Sequence, residues 1–170
     1  MSDNISFRPE SALGMALLRW WEGLDKNRGS RAELRRAHDL TAIALTGAYQ
    51  HLYRALLPFG WPEEDKPENN GRNERLSAIA GLLVHVKMQG ERSLPVTMSD
   101  GERPPFSELR FRRLLESSSL DEVFIGLRRA LPLVSYQINV LELANDVLFW
   151  GDSVKKRWAY TYRWPAKSAA

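Results

Sequence analysis

The 170-residue sequence predicts an all-α protein in which two small helical bundles, residues 11–95 and 104–165, pack together. Three observations point there. Apolar residues recur at intervals of three and four through most of the chain, the spacing that places them on one face of a helix. Alternation at period two, the mark of a half-buried strand, is confined to SLPVTM at residues 93–98. The stretch QGERSLPVTMSDGERPP, residues 89–105, carries no helical spacing and reads as a long connection between the bundles.

Each element has its own signal. Residues 1–10 read as a loose tail. From Ser11 to Leu24, the residues Leu13, Leu17, Trp20, Trp21 and Leu24 form one buried stripe. DKNRGS interrupts it, and Ser30 with Glu33 three places on has capping-box spacing for a short helix in SRAELRRA. A long helix is expected from Thr41 to Leu57, ended by Pro58. PFGWPEEDKPENNGR then holds three prolines, two glycines and an acidic cluster, so it reads as a surface loop with Trp61 exposed, either as a stacking surface or as a protein-interface anchor. Trp164, near the end of the chain, is read in the same way. Leu76, Ile79, Ala80 and Leu83 resume helical spacing over residues 73–88. Beyond the long connection, residues 107–118, 120–131, 139–150 and 152–164 read as four further helices.

Several function classes lose support at once. No window approaches the 18 apolar residues of a membrane helix, and the first twenty residues lack a signal-peptide core, so the expected location is cytoplasmic with no membrane partner. Zero cysteines exclude disulfides and thiolate metal sites. His38, His51 and His85 lie far apart and make no metal-ligand spacing; His85 reads as a polar residue near a helix end. There is no phosphate loop, nucleophile elbow or dinucleotide fingerprint. Glu142 and Asp146, four apart, share a helix face. Such a pair can serve acid–base chemistry or bind Mg2+, but a salt bridge to an arginine of a packed helix is the favoured reading. The sequence therefore predicts no enzyme, no cofactor and no metal.

The informative feature is arginine. Of 24 basic residues, 18 are arginine, a ratio that a GC-rich genome or a phosphate-binding role would each produce. Net charge is −1 over residues 1–102 and +4 over residues 103–170. In SELRFRRLLES, Phe111, Leu114 and Leu115 share an apolar sector joined by Ser118. Arg110 and Arg113 sit one turn apart on a neighbouring exposed side, and Arg112 lies on another flank. Leu120, Phe124, Leu127 and Leu131 mark the next buried stripe. Arg129 lies nearly opposite it, whereas Arg128 borders it close to Asp121, a candidate ion-pair partner. In the last helix Val154, Trp158 and Tyr162 face inward, with Lys156 and Arg163 seven apart on the other side. Arg28, Arg31 and Arg35 align if their segment is helical. Solvated faces and phosphate contacts both remain open at this level; phosphate contacts would give affinity without base specificity.

The succession ALLRWWEGL, AELRRA, YQHLYRALLPFGW, RLSAIAGLLVHVK, SELRFRRLLESSSLDEVFIGLRRAL and LANDVLFWGDSVKKRWAYTY resembles the small subunit of the type I-E CRISPR surveillance complex, the CasB family, from about residue 13 to residue 163. The resemblance implies a non-catalytic protein of two helical bundles, present in two copies. Its partners would be CRISPR RNA, target DNA, a large subunit and a repeated backbone subunit. It also implies a bracing role and basic surfaces that hold the opened target, above all its displaced non-target strand. Carried onto this chain, the nucleic-acid contacts would come from Arg35 and Arg36, from Arg110, Arg112 and Arg113, from Arg128 and Arg129, and from Lys155, Lys156, Arg157 and Arg163. The alternative is a purely structural bridge whose arginines pair with carboxylates of neighbouring subunits.

Overall fold

A computed structural model describes residues 5–64, 70–134 and 137–166. Ten α-helices and two short strands are described: α1 (Ala12–Gly23), α2 (Arg28–Arg36), α3 (Leu40–Ala44), α4 (Gly47–Leu56), α5 (Asn70–Leu83), β1 (Met88–Gln89), α6 (Leu94–Met98), α7 (Glu108–Leu115), α8 (Leu120–Ala130), β2 (Gln137–Ile138), α9 (Val140–Leu148) and α10 (Asp152–Thr161). The class is all-α, with an α1–α4 bundle packed on an α5–α10 bundle.

Helix boundaries follow side chains that satisfy the orphan N–H groups of the first turn. Ser11, Asp39, Thr46, Ser107, Ser119 and Asn139 each accept a hydrogen bond from the backbone N–H three residues on. For α2 the cap is Asn27, whose Oδ1 accepts from the Ser30 N–H, so Ser30 lies inside the helix and does not cap it. Glu33 reaches across instead, accepting from the Gly47 N–H at 3.1 Å. The expected long helix over 41–57 is two helices. Thr46 interrupts it by capping α4 through the Tyr49 N–H, and Leu45 at the break is 81% exposed. Leu57–Phe59 is a 3-10 turn, and Gly60 follows at φ 94°, a left-handed conformation that favours glycine.

Helix α5 is the axis of the molecule. Every residue from Leu76 to Val84 is buried, because α3, α8 and α9 all pack on it. A helix apolar on all sides belongs in a core. Gly81 makes this possible: a Cβ there would stand 2.4 Å from Ile43 Cδ1 and 2.8 Å from Phe124 Cε1. Arg75, half-buried on the same helix, sends Nη1 to the carbonyls of Val147, Leu148 and Trp150 at 3.3, 3.2 and 2.9 Å. A cation thus terminates α9 where its dipole is negative.

Several expected loops are built into the core. Phe7 of the supposed tail is fully buried and donates its N–H to Asn145 Oδ1 at 2.7 Å. Trp61 is buried, not exposed: it stacks on Phe7, and its indole N–H finds Asn73 Oδ1 at 2.6 Å. The stretch SLPVTM, which alternates like a strand, forms α6, with Pro95 in the first turn where its missing N–H costs nothing. Just before it, β1 pairs in parallel with β2, Met88 opposite Gln137 and Gln89 opposite Ile138. Together with the Arg92–Asp100 ion pair at 3.0 Å, this orders the long connection. The first part of the predicted loop PFGWPEEDKPENNGR is described to Glu64; residues 65–69 lie outside the described residues, and Asn70 to Arg72 already belong to α5.

Candidate nucleic-acid interface

Helices α7 and α8 lie side by side and leave a groove of about 650 Å³ between them. Gly126 lets the helices approach, since a Cβ there would stand 2.9 Å from Leu114 Cδ1. Phe111 and Leu114 fix α7 from beneath; Val123, Phe124 and Leu127 fix α8. With those faces buried, the geometry of the helix dictates what is left for the groove. Arg110 and Arg113 line it from α7 and Arg129 from α8, over Phe106, Leu114, Ile125 and Leu133. Glu122, also in the wall, accepts bonds from the Ser118 N–H and hydroxyl. Among the described residues, none of the three guanidinium groups makes an ion pair or a side-chain hydrogen bond.

The other basic candidates divide into committed and uncommitted groups. Arg128 does not pair with Asp121. Its Nη2 donates to the Arg35 carbonyl at 2.9 Å and its Nη1 meets His38 Nδ1 at 2.9 Å, tying α8 to the end of α2. Arg35 is half-buried there, with its Nε out of contact with solvent. The cluster presses on His85, whose pKa falls to about 4 from burial first, then from the charges of Arg128 and Arg35. Arg36 is exposed nearby. Arg157 is bound to Asp146, which also accepts from the buried Trp158 indole N–H at 2.8 Å. The pairing of the acid with an arginine of a packed helix is thus the expected one. Burial raises the pKa of Glu142, as does Asp146 beside it, while Arg157 opposes the shift.

Arg112, Lys155, Lys156 and Arg163 do not line the groove. Arg112, Lys156 and Arg163 are exposed, and Lys155 is partly so. Helix α10 ends at Thr161 and Tyr162 is extended, so Lys156 and Arg163 are not related by two helical turns. Trp164 retains exposure, 41%, but sets its ring against Phe111 and Tyr162. The apolar floor of the groove lies outside the sequence-predicted candidates. Its available signal was Ile125 one turn before Arg129 on the same helix.

Electrostatics separates this groove from the hollow on α3–α5. That hollow, about 340 Å³, is lined by Glu64, Glu74 and Asp121 with Tyr49 and Tyr53, and no basic side chain is among its lining residues. Its sign repels phosphate. Among the described residues no group of three His, Asp or Glu side chains is placed to hold a metal ion, and no helix is long and apolar enough to cross a membrane.

The family model for CRISPR-associated protein Cse2 matches residues 30–162, most of the chain. The chain belongs to the Cse2 family. As a member of that family, also called CasB, it is a non-enzymatic small subunit of a Cascade-like CRISPR complex. Two solved structures share its fold. A chain of Escherichia coli Cascade bound to a PAM-containing double-stranded DNA target is 22% identical, with a TM-score of 0.61, covering 87% of this chain and 92% of that one. CasB from Thermus thermophilus is 25% identical, with a TM-score of 0.58, covering 89% of this chain and 97% of that one. No curated protein matches the chain.

Proposed function

We propose that this Cse2-family subunit stabilises the opened target of a cytoplasmic, RNA-guided surveillance complex by holding the backbone of the displaced non-target strand. The supporting observation is the α7–α8 groove, where Arg110, Arg113 and Arg129 converge from two helices without internal partners. Exchanging DNA pairing for RNA–DNA pairing is nearly balanced, so a few protein–phosphate contacts can tip it toward the open form. Sequence is read by the guide, and a backbone clamp has no need to read it. In this reading the chain works as one of two copies beside CRISPR RNA, target DNA, the large subunit and the repeated backbone subunit. Proximity in the assembly makes modest contacts sufficient.

Arg36, Arg112, Lys156 and Arg163 serve as auxiliary phosphate contacts. Arg128 and Arg157 act first as internal ties, since their guanidinium groups already have partners within the chain, and Arg35 lends its backbone carbonyl to the first of them.

The test is Arg110→Ala with Arg113→Ala in the assembled complex. Each lost phosphate contact lowers the salt slope by about 0.7 for a single strand, so the double variant should lose about 1.4. Retention of opened target falls while the complex elutes intact. Loss of assembly with unaltered DNA retention would instead assign these arginines to neighbouring subunits and refute the proposal.

A further inference from the structure

Resting on the reading just given, we infer that the α7–α8 groove takes an unstacked nucleobase on its apolar floor as well as phosphates on its rim. The groove would then be a site for single strands and not for duplex. A surface that touched only phosphates would need cations and polar groups. Here the three arginines stand around Ile125 and Leu133, which remain 43% and 40% exposed, with buried Phe106 and Leu114 deeper in the wall. Such exposed apolar side chains gain when a poorly hydrated surface, such as the face of a base, covers them.

The layout matches the two faces of a single strand. Arg110 and Arg113, one turn apart, have Cβ atoms about 5–6 Å from each other, comparable to the separation of neighbouring phosphates along one strand. A backbone following α7 would turn its bases across the groove toward α8. There Ile125 and Leu133 offer an aliphatic surface. Arg129, one turn beyond Ile125, offers a planar guanidinium that can lie on a base or fork onto a phosphate. A duplex keeps its bases stacked inside, so it would meet the rim alone and leave the floor wet. Contact with a base face is indifferent to its identity, as a guide-directed complex requires.

The experiment compares three probes on the full 170-residue chain at low salt: a single-stranded oligothymidylate, the same length with abasic sites, and a matched duplex. The intact strand should bind at least about 5-fold more tightly than the abasic strand. Ile125→Ser with Leu133→Ser should erase that difference and leave the salt slope unchanged. Both sites are surface positions; Ile125→Ala alone provides a milder variant, with thermal melting to verify the fold. Equal binding of intact and abasic strands, or a difference that survives both floor variants, overturns the base site while the phosphate reading stands. Binding that is insensitive to Arg110→Ala and Arg113→Ala overturns both. Preference for an acidic amphipathic peptide over every oligonucleotide also overturns the proposal, since the floor would then belong to a protein.

Discussion

Removing the carboxylate of Asp146 tests how the carboxy-terminal bundle is held together. Asp146 on α9 is 4% exposed and joins two groups: Arg157 through two contacts, and the buried Trp158 indole. In Asp146→Ala two costs add. A hydrogen bond to a charged partner is worth about 1.5–3 kcal/mol. The Arg157 side chain is 49% exposed and regains water, so about 1 kcal/mol remains after screening. The Trp158 N–H has no such recourse, because its residue is fully buried. An orphaned buried donor costs about 1–3 kcal/mol. The sum is about 2–4 kcal/mol, a fall in Tm of about 4–16 °C for a chain of this length. Asp146→Asn keeps an acceptor for the indole and should cost only about 1 kcal/mol. Urea and thermal unfolding of the three proteins measure both values. An alanine variant within 1 kcal/mol of the parent, or an asparagine variant as damaged as the alanine one, would refute the claim that the indole donor sets the cost. A double-mutant cycle with Arg157→Met then isolates the pair.

Three other perturbations follow from the same structure. Arg75→Met leaves the α9 carbonyls without their cation and should destabilise by about 2–3 kcal/mol, read by chemical denaturation. Gly81→Ala forces a methyl group against Ile43 and Phe124 in the core and should cost about 1–3 kcal/mol by the same measurement, with native circular dichroism retained. His85 has a folded pKa of about 4 against an ordinary 6.5, so the unfolded chain takes up its proton first on acidification. Its contribution is therefore intact above 6.5 and is lost as pH falls toward 4. Ring titration by NMR should show the midpoint near 4, and His85→Gln should flatten the stability slope within that window.

Where sequence and structure agree, the controlling interactions are local. The stripes Phe111–Leu114, Phe124–Leu127–Leu131 and Val154–Trp158–Tyr162 are buried as their periods require. Once those faces are fixed, the outward aim of Arg110, Arg113 and Arg129 follows from helix geometry alone. Agreement fails where a distant partner decides. Proline and acid around Trp61 suggest exposure, yet Asn73 and Phe7 draw the indole inward. Arg128 looks toward Asp121 within its own helix, but its real partners lie about 90 residues earlier. The break at Thr46 is hidden because apolar spacing continues through it, and only the side-chain cap reveals the new start. The α7–α8 floor is equally invisible, for it exists only when two helices meet across Gly126.

The contact of Arg128 with the end of α2 also has a mechanical meaning. Two bonds on one flank of α8 key that helix against rolling about its own axis, and Arg129 is the very next residue. The pointing direction of Arg129, the cation proposed to face the nucleic acid, is thus inherited from a joint about 100° around the rod. Changes at His38, which makes none of the proposed nucleic-acid contacts itself, would swing Arg129 off its bearing and, under the proposed function, read out as a defect in DNA retention.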